Sequence, residues 1–297
     1  MASDTSTTES VLERARNPKQ QLTRENLESA AKTGLLAVSA LVALVPLYWM
    51  VTTSLKTSQE ASQFPPTLFP DNPTIQPYIE GWNAGMWPTW FFNTTVISAG
   101  TVTAILLVVT PAAYAVARHE FIGKRAFYLT VVATLMIPGQ IIVLPLYALF
   151  ADFGLIDTHI GLILAYTVFW SGFAFFLLYG FFQNLPADIE DAARVAGIPE
   201  WKIMIRLILP LAKPGVATAG MFLFIFAWNE FFLALVFLES QSMFTFSIGL
   251  EFFRGLRGYV VVNQMFAIST LASLPVLLLF ALFQKQFVQG ITTGFAE

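Results

Sequence analysis

In a chain of 297 residues, 56% hydrophobic and 12% charged, the charged fraction is about half that of a soluble domain, too little to solvate a soluble surface, so the chain reads as an integral membrane protein. A net charge of −3 without a basic block gives no footing for nucleic acid. With no cysteine, disulfides, thiolate metal sites and cysteine nucleophiles are excluded.

Residues 1–32 form a polar leader rich in Ser, Thr, Glu and Arg, expected to be partly mobile. The apolar run 33–54 follows. Its leader is long for a signal peptide and no small-residue cleavage site follows Trp49, so it reads as a retained span. Five further runs, at 91–117, 126–150, 160–182, 212–238 and 265–287, exceed the roughly 20 helical residues that cross a hydrocarbon core of about 30 Å. Pro111 and Pro138 lie inside the second and third and are expected to kink those helices without ending them.

The outer loop 55–90 carries Pro65, Pro66, Pro70, Pro73, Pro77 and Pro88, which favours an extended, stiff path over helix. Its Trp82, Trp87 and Trp90 suit anchors in the interfacial belt. The outer loop 239–264 places Glu251, Arg254 and Arg257 among aromatics; composition leaves both partner docking and a re-entrant turn open. Residues 288–297 form a short tail.

Thirteen Lys and Arg residues fall on one side of these runs: Arg14, Arg16, Lys19, Arg24, Lys32, Arg118, Lys124, Arg125, Arg194, Lys202, Arg206, Lys213 and Lys285. Three, Lys56, Arg254 and Arg257, fall on the other. That asymmetry puts both termini in the cytoplasm of a multi-pass cell-membrane protein. The expected fold class is an all-α integral membrane protein: six transmembrane helices over 33–287, with a short cytoplasmic helix between the fourth and fifth in the loop 183–211. No internal repeat is visible.

That loop is the most informative segment. Pro186 suits a first helical turn, where its missing N–H is no loss. Asp188, Glu190 and Asp191 follow where negative charge favours the helix dipole. Ala192, Ala193 and Ala196 give a smooth face that another backbone can approach. Gly197 can adopt the left-handed geometry that closes a helix, and Pro199 disfavours helix at Ile198. A second helix then runs through Trp201, Lys202, Ile203 and Arg206.

Within the spans, Asn229 and Glu230 sit near mid-bilayer. A central acid costs about 2.5–3.5 kcal/mol on insertion scales, so it should face the bundle interior or a wet cavity. Gln140, after Pro138-Gly139, Ser171-Gly172, and Ser273, before Pro275, occupy similar depths. Polar groups at helix breaks suit a translocation path. Interhelical hydrogen bonding is the competing reading and the stronger one, by a narrow margin for Asn229 and Glu230 and a wider one for Gln140 and Ser273.

The segment Asp191-Ala192-Ala193, three residues, Gly197, nine residues, Leu207-Ile208-Leu209-Pro210 resembles the EAA loop of membrane subunits in binding-protein-dependent ATP-binding-cassette importers. Asp191 stands for the usual Glu, with Glu190 before it, and Leu207 for Ile. Met136-Ile137-Pro138-Gly139-Gln140, Leu144-Pro145-Leu146-Tyr147, Trp228-Asn229-Glu230-Phe231, and Phe287-Val288 with Gly290, Thr292 and Gly294 are similar to carbohydrate-importer permeases, most of all to the smaller permease of maltose-type systems. The resemblance implies a non-catalytic permease subunit of a sugar importer. It implies a second permease (a different chain), two cytoplasmic ATPase subunits and an extracytoplasmic solute-binding protein as partners, with sugar as the solute. Glu190, Asp191, Ala192, Ala193, Ala196 and Gly197 would then seat in an ATPase groove, with Glu190 or Asp191 making the main charge contact. Gln140, Asn229, Glu230 and Ser273 become candidates for the path, although in the resembling systems the larger permease holds most of the sugar.

No Gly-x-x-x-x-Gly-Lys-Ser/Thr occurs, so ATP and Mg would be bound by the partner ATPase, with no cofactor in this chain. An ion-coupled carrier using Glu230 as its proton site is the alternative. Such carriers often carry paired repeats, missing here, and would not need the loop at 191–210. An intramembrane enzyme ranks last: there is no nucleophile–base pair, metal cluster or His-Glu-x-x-His spacing, and His119 and His159 read as loop histidines.

Overall fold

The computed structural model describes residues 18–256 and 261–294, with backbone path alone for 18–28, 252–256 and 287–294. Arg14, Arg16, Arg257, the start of the leader and the end of the tail lie outside the described residues, as do the side chains of Lys19, Arg24, Arg254, Phe287, Val288 and Thr292. Among the described residues there is helix and loop but no strand.

Helix α1 (Pro18–Ser54) continues from polar leader into span without a break, and Pro46 lies inside it. Its apolar residues Leu35, Leu41, Val42 and Val45 are exposed. Then come α2 (Ser58–Ala61), α3 (Gln76–Asn83), α4 (Trp87–Arg118), α5 (Lys124–Thr134), α6 (Gly139–Asp152) and α7 (His159–Gln183). They are followed by α8 (Asp188–Val195), α9 (Glu200–Leu211), α10 (Lys213–Asn229), α11 (Phe232–Phe237), α12 (Phe246–Leu256) and α13 (Val262–Gly294). Four helices are long and apolar enough to cross a membrane: Ser29–Ser54, α4, α7 and Val262–Gln286. The pairs α5/α6 and α9/α10 also qualify if each is one span, bent by 98° and 75°.

Helices α4 and α7 form the spine, α10 lies against α13 and α4, and α13 also holds α1 and α3. Apolar burial drives little in lipid, so close packing and internal hydrogen bonds hold such a bundle. One packed layer joins Ile105, Val109, Phe175, Leu178 and Phe182 to Ile203 and Ile208 beneath α8 and α9. Another, at the opposite end, joins Ile97, Leu162 and Tyr166 to Leu233, Phe237 and Ile248.

The two ends of the bundle differ. At one, the α4–α5 turn meets the α7–α9 segment, with Arg118 on Glu190 and His119 3.7 Å from Glu200. At the other, the loops interlock. Trp90 Nε1 donates to the Gln241 carbonyl, Asn263 Nδ2 to the Lys56 carbonyl and Gln264 Nε2 to Glu80. Asp157 there accepts the backbone N–H of Glu239 and of Ser240. The pair α5/α6 starts at the first end and finishes at the second; α9/α10 starts at the first and stops at Asn229, and α11 carries the chain on to the second, where Phe237 O accepts the Asp157 N–H.

Several expectations are corrected. The loop 55–90 is not extended throughout: it contains α2, α3 and the start of α4. Pro77 and Pro88 fall in first helical turns, where proline removes no bonded N–H. Trp87 and Trp90 are fully buried rather than outward-facing anchors, their indole N–H groups donating to the Gly81 and Gln241 carbonyls; of the three, only Trp82 stays half-buried, against Phe91. Pro111 sits in continuous helix, but Pro138 ends one. Residues 135–137 close with tight turns onto Val132, Ala133 and Thr134, and proline disfavours helix at Ile137. The chain turns there, and a Cβ at Gly139 would fall 1.8 Å from the Phe169 ring. Finally, 212–238 is not one helix: α10 stops at Asn229 and Glu230 is extended.

Candidate functional site

The segment 184–211 builds a protruding knob. Helix α8 opens with Asp188, Glu190 and Asp191 in its first turn and Arg194 in its last, matching the dipole at both ends. It closes on Gly197 at φ +75°. The Gly197 N–H donates to Arg194 O at 2.9 Å and the Ile198 N–H to Ala193 O at 3.0 Å, the paired bonds of a Schellman cap. Pro199 then starts α9. A widened turn at Met204–Ile208 precedes Pro210, whose ring would clash with the carbonyl four residues back in a regular helix.

Charge fastens the knob to the bundle. Glu190 is 2% exposed and takes Arg118 Nε at 3.0 Å. Arg118 Nη2 also donates to the carbonyls of Leu185 and Pro186, so the last residue of α4 holds the turn into α8. Arg194 bridges outward, donating to Glu200 at 2.6 Å, Asp191 at 2.8 Å and Glu190 at 3.3 Å. Glu190 is thus committed inside, while the Asp191 side chain is 67% exposed. Ala193 faces the core, whereas Ala192, Ala196 and Gly197 are exposed. Beside them Ile189, Val195, Ile198 and Trp201 also project outward.

The hydrogen bond from Arg194 holds the Glu200 carboxyl below the usual carboxylate range; partial desolvation opposes this, and the charges of Arg194 and His119 add to it. A depressed acid stabilises the fold above its unfolded value and loses that contribution as pH falls through its folded value. Hydrogen exchange of residues 188–200, corrected for intrinsic rates, is therefore expected to stay level from about pH 8 to pH 5 and to quicken below that. Quickening between pH 8 and 5 would contradict the assignment.

The intramembrane residues separate into different settings. Glu230 accepts the N–H groups of Leu233 at 2.8 Å and Ala234 at 3.0 Å, and the Tyr166 hydroxyl at 2.7 Å. It caps α11 and ties it to α7. Gln140 lies exposed in the first turn of α6. Asn229 and Ser273 come together, lining a cavity of about 640 Å³ between α10, α12 and α13 that also includes Phe231, Ser247, Glu251 and Ser269. Capping by Glu230 is a structural task, so Glu230→Ala should destabilise by about 0.5–2 kcal/mol, the usual worth of a cap. Glu230→Gln, which keeps an acceptor, should preserve assembly and transport. Thermal unfolding and solute uptake measure both; loss of uptake in a stable Glu230→Gln protein would return the residue to a proton-carrying role.

His159 pairs its Nε2 with Asn93 at 3.0 Å, beside the outer loops. No metal-holding group of His, Cys, Asp and Glu exists among the described residues.

The model of the family "Binding-protein-dependent transport system inner membrane component" matches residues 108–293. The chain belongs to this family. As a permease it is a multi-pass membrane protein and a transport component. The diacetylchitobiose uptake permease NgcG of Streptomyces coelicolor is 30% identical to it over 90% of this chain and 88% of its own length. The trehalose transport permease SugB of Mycobacterium tuberculosis is 32% identical over 85% and 92%. The arabinooligosaccharide permease AraQ of Halalkalibacterium halodurans is 34% identical over 87% and 92%. A crystal structure of a bacterial ABC transporter that imports alginate superposes with a TM-score of 0.75, at 24% identity, covering 89% of this permease and 98% of that chain; the fold is shared.

Sequence reasoning missed three groups in this permease. Arg118 counts in the sequence as a topology charge; its place at the tip of a span, facing an acidic loop, is the available signal. Tyr166, partner of Glu230, lies among apolar residues and gave none. Ser269, one turn before Ser273 on the same helix face, was within reach of helical spacing.

Proposed function

We propose that this permease is the membrane subunit of an ATP-driven, binding-protein-dependent importer of carbohydrates, crossing the membrane six times with both termini in the cytoplasm. The count is supported by α5/α6, which runs from the knob end to the opposite end, and by α9/α10, which with α11 does the same. The orientation rests on thirteen cations against three. The solute class is supported by relatives named for diacetylchitobiose, trehalose and arabinooligosaccharides. The partners are a second permease, two cytoplasmic ATPases that hold ATP and Mg, and an outer solute-binding protein. This subunit itself performs no catalysis.

The observation that carries the coupling reading is the knob: a short, rigidly capped helix with Ala192, Ala196, Gly197 and Asp191 outward, braced to α4 by Arg118. Seated in an ATPase groove, it transmits closure of the ATPase pair to the helices, which turn the cavity from inward- to outward-facing; hydrolysis resets it. Asp191 offers the exposed charge, and Glu190 and Ala193 form the footing. The path runs past Asn229 and Ser273, with Glu230 and Gln140 at its margins.

Vesicles holding all partners should accumulate sugar only with ATP and binding protein, and vesicles holding this chain alone should accumulate none under a proton or sodium gradient. Gradient-driven uptake by the chain alone would overturn the proposal.

A further inference from the structure

A groove of about 840 Å³ lies between α4, α9, α10 and α13. Its walls include Val102 and Leu106 of α4, Met221 and Phe224 of α10, and Leu279 and Phe283 of α13. Gly220 keeps the floor low, since a Cβ there would stand 3.5 Å from Leu106 and 3.7 Å from Val102. Thr103, the one hydroxyl among the described lining residues, donates its proton to Ala99 O at 2.8 Å. A sugar would bury its hydroxyls here without partners, so the groove does not suit a hydrophilic solute. One charge breaks the pattern. Lys213 lines the groove at the bend where α9 passes into α10, beside the knob. It is exposed and makes no ion pair among the described residues. As the first residue of α10 it adds to the positive end of the helix dipole instead of offsetting it, so this spot favours an anion.

We propose that the groove holds one anionic phospholipid, with its phosphate on Lys213 and an acyl chain laid along α10 toward Phe224. At 1.5 Å per residue, Lys213 and Phe224 stand roughly 16 Å apart along α10, close to one leaflet's half of a hydrocarbon core of about 30 Å. A charge at one end of an apolar channel of that length matches a headgroup and its chain. The lysine stem lies along apolar surface while its ammonium reaches the headgroup layer. No carboxylate is present among the described lining residues to repel a phosphate. Over that length the volume gives a mean section of roughly 50 Å², against roughly 80 Å² for a helix 10 Å across, so a partner's helix can lie over the groove but not enter it. A zwitterionic lipid has the same chains, but its own ammonium competes with Lys213 for the phosphate. The lipid then sits at the joint between knob and span. Only membership of a membrane-permease family is required for this, not the importer reading or the orientation.

The permease, in the complex in which it is purified, is placed in nanodiscs of phosphatidylcholine containing a minority of phosphatidylglycerol that carries a diazirine on one acyl chain. After illumination, cross-linked peptides are read by mass spectrometry. Cross-links should concentrate on the groove faces of 99–106 and 216–224. Lys213→Gln should lower their yield about fivefold, the weight of one lysine on an anionic headgroup, and Lys213→Arg should restore it. Gly220→Leu, which fills the floor and leaves the lysine, should lower it as well. Arg125→Gln, which removes another exposed cation at the same end, should change nothing. A phosphatidylcholine probe with the same diazirine chain should label the groove about as weakly as the phosphatidylglycerol probe labels Lys213→Gln. Cross-links spread evenly over the outward apolar surfaces, a yield indifferent to Lys213→Gln, or equal labelling by the phosphatidylcholine probe would reduce the groove to ordinary lipid contact and sink the assignment. A groove left unlabelled because cross-links fall on a partner permease covering it would give the surface to that partner. Full competition by glycerol phosphate would make the site one for a free phosphate; either result overturns the lipid.

Discussion

Arg118→Ala is expected to abolish ATP-driven uptake and to destabilise the permease by about 3–5 kcal/mol, the usual consequence of stripping one partner from a buried ion pair. Glu190 is 2% exposed and the Arg118 side chain 10%, so the orphaned carboxylate cannot simply turn to water. Its remaining neighbour, Arg194, is 3.3 Å away and already shared with Asp191 and Glu200. The same substitution frees the Leu185 and Pro186 carbonyls, which fix the direction in which α8 leaves α7. The double variant Arg118→Met, Glu190→Leu separates these effects. It removes both buried charges, so thermal unfolding in nanodiscs should return close to wild type. Uptake should stay low, because nothing then ties the knob's root to α4. An Arg118→Ala protein with unchanged unfolding would show that the pair bears no weight, and a double variant with full uptake would show that the knob needs no brace.

Legibility in the sequence follows the range of the interactions involved. Runs at 33–54, 160–182 and 265–287 could be read because length and apolarity alone decide them. The knob could be read because its signals, Pro186, three acids, Gly197 and Pro199, lie within fourteen residues and act locally. The break at Glu230 could not. No proline or glycine marks it; the carboxylate stabilises it by capping Leu233 and Ala234 and by meeting Tyr166 from another helix. Pro138 was visible, but whether it kinks or ends a helix depends on what receives the turn, here the Phe169 ring over Gly139. The burial of Trp90 has the same origin, since its N–H goes to the carbonyl of Gln241, 151 residues away; that of Trp87 goes to Gly81, only six residues back, but an amphipathic ring suits an interface equally well and the turn that brings this carbonyl round carries no signal of its own. The brace at Arg118 joins residues 72 apart in the chain; a cation at the tip of a span opposite an acidic loop hints at it, but patterning along one chain does not select the partner.

Gly197 offers the second large effect, and it discriminates between strain and docking. The residue has φ +75°, and a Cβ there would meet nothing within 4 Å. Any loss on substitution therefore comes from the backbone or from a surface outside this chain. Left-handed geometry costs an L-residue about 1–2 kcal/mol, and a β-branched residue suffers most, so Gly197→Val should loosen the Schellman cap and speed hydrogen exchange in α8. Asparagine tolerates this conformation, so Gly197→Asn should leave exchange as in wild type. If Ala192, Ala196 and Gly197 lie close against an ATPase groove, both variants nevertheless insert, assemble and hydrolyse ATP while uptake falls by about tenfold or more, the equivalent of losing about 1.4 kcal/mol of productive docking. Gly197→Asn with normal exchange and normal uptake would reduce the glycine to a helix stop and remove this face of the knob from the coupling surface.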